Sequence, residues 1–406
     1  MYICWEPVFS NQNIQTMKTN RTILTVLFLA LLTIGCTKKG EPEIIPGADQ
    51  TEVYLQLLEG KTVALAINNS SVVGKTPLLD TLIASGVNVV RIFSPEHGFR
   101  GGNRYDTLDL QTGVPISLLY GSKTYKPLPE DLAGVDVVIF DMQDVGTRFY
   151  TYLSTLHYVM EACAENNVEL IVLDRPNPND YYVDGPILDT TFKSFVGMHP
   201  IPILHGLTLG EYANMINGEG WLKNGVQCKV TIVEVANYEH GKLYILPIDP
   251  SPNLNTHQSI LLYPSLCLFE GTVISQGRGT YFPFQVLGNP ELKEHYSFSF
   301  TPVSIEGMST NPPHKDVECF GLDLREYDTN IFKETGRINL SWLIEFYNFY
   351  PKKEEFFREG RFDRLAGSDI LRKQIIEGKS EQEIRDSWEP ALSQYKETRK
   401  KYLLYN

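Results

Sequence analysis

The sequence predicts an α/β protein, a Rossmann-like parallel-sheet domain followed by a smaller α+β C-terminal domain. Two observations carry this. Four short, predominantly apolar runs (Thr62–Ile67, Val87–Phe93, Val135–Phe140 and Leu170–Leu173) alternate with helix-length segments, and a strand that is apolar along most of its length is one covered on both faces. Each run also ends in a polar cluster: Asn68-Asn69-Ser70-Ser71, Ser94-Pro95-Glu96-His97-Gly98, Asp141-Met142-Gln143-Asp144-Val145-Gly146 and Asp174-Arg175-Pro176-Asn177-Pro178. In a parallel sheet all four land on the carboxyl rim, where open α/β sheets bind ligands.

Taken in order, residues 1–16 fit neither a leader nor a domain, and Met17 reads as the start of a leader. Lys18 and Arg21 supply a basic region, Ile23–Ile34 an apolar one, and Gly35 a small residue before Cys36, the order of a secretory signal. Gly35-Cys36 is similar to the lipobox of bacterial lipoproteins, whose cysteine is lipidated, although Thr33 and Ile34 stand where Leu and a small residue are usual. A plain secretory signal with Cys36 incidental is the alternative. The expectation is an extracytoplasmic, periplasmic protein tethered to a bacterial membrane through Cys36, with 1–36 as extension and signal and 37–51 as tether.

The Rossmann-like domain is expected over 52–200. Its helices are predicted over Pro77–Ser85 and Tyr152–Asn166, between the apolar runs. The first strand ends in Asn-Asn-Ser-Ser, and no Gly-x-Gly-x-x-Gly occurs, so no dinucleotide and no other cofactor is expected. No Gly-x-Ser-x-Gly elbow is present, and Ser393-x-x-Lys396 lies in a charged terminal helix without companion motifs. Eight histidines are scattered without metal-ligand spacing, so no metal is expected, and Cys163, Cys228, Cys267 and Cys319 are too widely spaced for a zinc site and read as buried thiols.

Residues 201–406 change texture to turns, aromatics and short runs, including Pro250-Ser251-Pro252-Asn253-Leu254, Phe269-Glu270-Gly271-Thr272 and Gly277-Arg278-Gly279, the last pushing an arginine out on a tight backbone. Amphipathic periodicity returns at Asn339–Tyr350 and Ser380–Tyr402, helices expected to pack this second domain.

Composition narrows the partners. The 406 residues are 42% hydrophobic and 21% charged, ordinary globular material for a large core. Lys+Arg 36 against Asp+Glu 49 leaves a net charge of −13, which excludes a basic footprint for nucleic acid. An anionic ligand would therefore need local arginines. The sequence sets no oligomeric state.

Glu96 is the first catalytic candidate. It follows a buried strand directly, Pro95 ends the ladder and Gly98 permits a tight turn, which presents Glu96 and His97 at the sheet edge. A plain turn carboxylate is the structural alternative, and the three other polar strand ends weigh against it.

The chain resembles the exo-β-N-acetylmuramidases of the NamZ type, a bacterial glycoside hydrolase family. The motifs are Ser-Pro-Glu-His-Gly-Phe-Arg-Gly (94–101), Thr-Gly-Val-Pro-Ile-Ser-Leu-Leu-Tyr-Gly (112–121), Phe-Asp-Met-Gln-Asp-Val-Gly-Thr-Arg-Phe-Tyr-Thr-Tyr (140–152) and Leu-Asp-Arg-Pro-Asn-Pro (173–178). Asp-Gly-Pro (184–186), Ser-Phe-Val-Gly-Met-His-Pro-Ile-Pro (194–202), Pro-Ser-Pro-Asn-Leu (250–254) and Phe-Glu-Gly-Thr (269–272) extend the resemblance from about residue 52 to the C-terminus. Asn255, where proline is usual, and Gln276 before Gly-Arg-Gly depart from the pattern.

The resemblance implies release of terminal N-acetylmuramic acid from peptidoglycan fragments in a cleft between the two domains, with Glu96 as the catalytic glutamate. As general acid Glu96 would need a raised pKa, with Asp141, Asp144 or Glu270 as the opposing carboxylate. Retaining, inverting and substrate-assisted routes all stay open. Arg148, Arg175 or Arg278 would pair with the lactyl carboxylate that distinguishes muramic acid from N-acetylglucosamine. Tyr150 or Tyr152 would stack on a sugar, and Asn68, His97, Asn177 and Asn253 complete the expected binding set. A non-catalytic cell-wall sugar-binding lipoprotein using the same cleft is the rival reading, and a serine esterase lacks its nucleophile.

Overall fold

Continuous apolar runs become parallel strands because both of their faces can be covered. The computed structural model describes residues 42–95, 98–100, 106–121 and 124–406. Its main sheet contains β1 (Thr62–Ile67), β2 (Asn88–Ser94), β3 (Ile116–Leu118), β4 (Val137–Asp141), β5 (Glu169–Leu173) and β6 (Val230–Val233). Every pairing is parallel, in the spatial order β3-β2-β1-β4-β5-β6. That is the doubly wound order, whose winding reverses between β1 and β4 and opens a crevice at their carboxyl ends. Ile67 pairs with Asp141 there, so the segments that follow these two strands start side by side.

The four inner strands are the runs read from the sequence. The edge strands β3 and β6 carry no such run: all three residues of β3 are half-buried, and only Val233 of β6 is buried. An edge strand has one neighbour and less cover, so its residues need not be uniformly apolar. The sheet thus takes its last strand from beyond residue 200, and Ile44–Asn406 packs as one compact unit.

On one face Val63, Leu65 and Ile67 pack with Leu78, Leu79 and Leu82 of α1 (Leu78–Ala84). On the other, Ala64 and Ala66 leave room for the bulkier Tyr152 and Leu156 of α2 (Tyr152–Asn166) and Tyr212 of α3 (Leu209–Gly218). The helix α2 covers its predicted range and is closed by Asn167 in the left-handed region, φ 54°.

After α4 (His257–Leu266) comes a three-stranded antiparallel sheet of β7 (Val286–Asn289), β8 (Phe298–Phe300) and the central β9 (Cys319–Asp323). The helices α5 (Ser341–Phe349), α6 (Glu359–Ala366) and α7 (Glu389–Arg399) follow. The single helix expected over Ser380–Tyr402 is two, Glu381–Asp386 and α7, because Pro390 has no N–H to continue a helix and fits only a first turn. Phe269, Phe346 and Phe362 of this region share one core with Phe140 and Leu156, which seats the C-terminal half on the α2 side of the sheet. Cys163, Cys228, Cys267 and Cys319 are free and buried.

Candidate active site

The segment from Asp141 to Tyr152 leaves the sheet at the winding reversal and leads to a cavity lined by residues of both halves of the chain. Gly146 makes the path possible: it sits at φ 79°, and a Cβ there would lie 2.2 Å from Asn177 Oδ1. The segment ends in Phe149-Tyr150-Thr151-Tyr152, which forms one wall of a cavity of about 400 Å3. Tyr120, Tyr125 and Phe195 form an aromatic side, with Tyr125 stacked on Phe195 at 4.1 Å. Asn253, Tyr263, Glu270, Arg278, Phe284 and Arg361 come from the C-terminal half.

Five predicted residues therefore meet in one place: Tyr150, Tyr152, Asn253, Glu270 and Arg278. Tyr150 donates to Pro250 O at 2.7 Å, which ties the first wall to the second, and burial pushes its pKa well above the usual tyrosine value. Asn253 donates from Nδ2 to Met308 O, while its buried Oδ1 has no partner among the described residues. Glu270 accepts from Arg278 Nε at 2.9 Å and Nη2 at 2.6 Å, and from Arg361 Nη2 at 2.6 Å. Burial raises the Glu270 pKa, but the two guanidiniums outweigh it and hold the carboxyl below its ordinary range. One carboxylate against two guanidiniums leaves this wall a net charge of +1 in a chain of net −13.

A second group of predicted residues lies at the strand ends. Asn68 Oδ1 accepts from Ser70 N and Oγ, and Ser70 Oγ accepts from Gln143 N, which stitches the end of β1 to the end of β4. Around this stitch Asn68 Nδ2, Ser94 Oγ, Gln143 Oε1 and Asp144 Oδ1 are buried with no hydrogen-bond partner among the described residues. Asp144 Oδ2 accepts from Gly146 N at 2.6 Å and lies 3.8 Å from His205 Nε2. His205 Nδ1 accepts from Leu207 N, which puts its proton on Nε2, facing Asp144.

Four other candidates have structural jobs. Asp141 is fully buried and paired through both oxygens with Arg175, whose Nη2 also donates to Val72 O at 3.0 Å. Arg175 is thus consumed inside the sheet and does not line the cavity, a correction to its expected part in carboxylate binding, and Asp141 is likewise neutralised. Arg148 is buried and donates to Pro186 O, Ile201 O and Leu365 O. It caps the carboxyl end of α6, and burial pushes its pKa down to about 9, which leaves it a cation at neutral pH. It too is a fastener and not a ligand group. Asn177 donates to Leu207 O and accepts from Asn179 N, so both ends of its buried side-chain amide are engaged within the fold.

Glu96, His97 and Cys36 lie outside the described residues. The nearest described neighbours of the first two are informative: Ser94 pairs with Leu118 at the ends of β2 and β3, and Leu119 N donates to Ser94 O at 2.8 Å. One residue further on, Tyr120 lines the cavity. The sequence reading missed Arg361, which sits on the exposed side of a charged helix with no local signal, and the aromatic side, in which Phe195 is 70 residues from Tyr125 and 75 from Tyr120. No group of three His, Cys, Asp or Glu among the described residues is arranged for a metal ion.

Comparison with known proteins agrees with this fold. Residues 63–258 match the family model for exo-beta-N-acetylmuramidase NamZ, N-terminal, and residues 261–405 match its C-terminal counterpart. The peptidoglycan beta-N-acetylmuramidase NamZ of Bacillus subtilis (strain 168) is 39% identical over 389 residues, covering 90% of this chain and 92% of that protein. A crystal structure of a DUF1343 family protein from Bacteroides fragilis NCTC 9343 superposes with a TM-score of 0.84 at 47% identity, covering 90% of this chain and 99% of that one. A second DUF1343 family protein from the same strain gives a TM-score of 0.78 at 30% identity, over 90% of this chain and 100% of the other.

Proposed function

This chain belongs to the NamZ family of exo-β-N-acetylmuramidases, and on that premise we propose that it is a glycoside hydrolase releasing terminal N-acetylmuramic acid from peptidoglycan fragments, with Glu96 as general acid. The observation that carries the reading is the cavity itself. Its volume of about 400 Å3 is in the range of small-ligand sites, its walls are aromatic, and one of them carries two arginines against one glutamate. Aromatic faces suit the apolar faces of a pyranose, and the net positive wall suits the lactyl carboxylate that marks muramic acid. Arg278 and Arg361 are the residues assigned to that carboxylate.

The acid must come from outside that wall. Glu270 is the one carboxylate among the described cavity residues, and its two arginines keep it ionised, so it orients guanidiniums and does not donate a proton. Glu96 follows Ser94, the last residue of β2, by two positions in the sequence, and β2 pairs with the strand that leads to Tyr120. With Asp141 held by Arg175 and Glu270 by two arginines, Asp144 is the partner carboxylate we assign, because its Oδ1 is buried without a partner among the described residues. Its role is to stabilise positive charge developing at the sugar, directly or by orienting the substrate's acetamido group.

The protein is further assigned to the periplasm, anchored through Cys36, on the order of basic, apolar and small residues before it. The hydrolase reading is tested by release of p-nitrophenol from its N-acetylmuramide and from its N-acetylglucosaminide. Turnover of the first with strong preference over the second is the expected outcome. Binding of both sugars without turnover would leave a sugar-binding lipoprotein instead.

A further inference from the structure

We propose that Tyr281 is a stacking platform for the leaving side of the substrate, the sugar rings beyond the scissile bond of a peptidoglycan oligosaccharide; this rests on the exo-muramidase reading and extends it. Tyr281 is 76% exposed. A single exposed aromatic is ordinary, but this one stands on a support that is anything but casual. Arg278 and Phe284, three residues to either side, both line the cavity, so the turn between them is part of its rim.

That turn is rigid. Phe284 N donates to Gln276 O at 2.7 Å across its base, and Thr280 Oγ1 donates to Gly277 O at 2.7 Å inside it. Gly277 and Gly279 lie at φ 77° and 84°, and a Cβ on Gly279 would meet Pro312 Cγ at 2.4 Å. Phe284 itself is at φ 55°, a left-handed conformation that is costly for a bulky side chain and is found where the surroundings over-determine it. Here it is held edge-on against Tyr263 at 4.9 Å, with the Arg278 guanidinium 5.1 Å over its ring. On the outer side, Asn255 Nδ2 donates to Tyr281 O at 3.1 Å. Every neighbour of Tyr281 is thus tied down, while its own ring is left in solvent beside a cavity sized for one sugar.

The backbone that carries the ring is fixed, so binding has only the two side-chain torsions of Tyr281 to order, and the apolar face of the ring offers the contact that a pyranose face matches. The cavity takes the terminal muramic acid, so the next sugars of the chain must pass over the rim.

The test compares Tyr281→Ala and Tyr281→Trp with the unaltered protein on two substrates: a peptidoglycan tetrasaccharide with three leaving-side sugars, and p-nitrophenyl N-acetylmuramide, which has none. Covering roughly 50 Å2 of apolar ring corresponds to about a tenfold effect. Tyr281→Ala should raise KM for the tetrasaccharide about tenfold at unchanged kcat, leave KM for the aryl glycoside within about twofold, and be rescued by Tyr281→Trp. An unchanged tetrasaccharide KM in Tyr281→Ala overturns the proposal. If the unaltered protein turns over neither substrate, the hydrolase reading fails and the platform is decided by binding of the leaving trisaccharide: weaker binding by Tyr281→Ala sustains it, and equal binding refutes it.

Discussion

Replacing Arg278 tests whether the net positive wall reads the lactyl carboxylate. At about 4 Å and an effective dielectric of ~20, a guanidinium and a carboxylate attract by ~4 kcal/mol before desolvation. The Arg278 side chain is 31% exposed, so roughly half of this survives solvent screening and the cost of stripping the partners. Arg278→Met keeps the apolar stem over Phe284 and removes the charge, which changes the wall from +1 to neutral. The expected loss in preference for muramide over glucosaminide is about 2 kcal/mol, or about 30-fold in the ratio of kcat/KM values. Arg361 is 57% exposed and should matter less, about three- to fivefold for Arg361→Met. Arg278→Lys keeps the charge without the planar fork and should fall between the unaltered protein and Arg278→Met. Glu270→Gln raises the wall to +2 and should keep selectivity within a few-fold. The assay is p-nitrophenol release from both sugars at pH 7. Unchanged selectivity in Arg278→Met and Arg361→Met, with both variants folded, would refute the carboxylate seat.

Four further outcomes are expected. Glu96→Gln should lower turnover on a natural disaccharide by roughly 10² to 10⁴, and by less on an aryl glycoside whose phenolate leaves unaided; wild-type rates in a folded variant would remove Glu96 from the mechanism. Cys36→Ser should shift the protein from the membrane to the soluble fraction, and retention in the membrane would end the lipid-anchor assignment. His240 lies between Asp180 and Glu211, at 2.7 and 2.9 Å; burial lowers its pKa, but those hydrogen bonds and charges outweigh burial and push it up to about 9. Its stabilisation, about 3 kcal/mol, is present in full below about pH 6.5 and lost as pH rises through about 9, so the stability gap between wild type and His240→Gln should narrow from pH 6.5 to 9.5; a constant gap contradicts the ion triad. Arg148→Met strands three buried carbonyls and uncaps α6, at a cost of about 3 kcal/mol by denaturant titration, and a loss under about 1 kcal/mol would show that Arg148 fastens nothing.

What the chain alone determined is the part governed by local partition of side chains. Residues apolar at every position, as in Val137–Phe140, can only be strands covered twice, and the 3.6-residue pattern of Tyr152–Asn166 becomes α2 over that very range. The strand ends were legible as well, because polar residues directly after a buried strand have only the rim to occupy. What only the tertiary structure decided is which charges are spent and which remain available. Arg175 reads like Arg278 in sequence, yet one is consumed by Asp141, 34 residues away, while the other stands on an open wall beside Arg361, joined to it by Glu270, which is 8 residues from Arg278 and 91 from Arg361. Arg148 reaches 217 residues to the end of α6. Periodicity reports how a segment divides between water and core, and it carries no information about partners so distant in the chain. A charge's function depends on its partners within a few ångströms, and these are set when the C-terminal half packs onto the sheet.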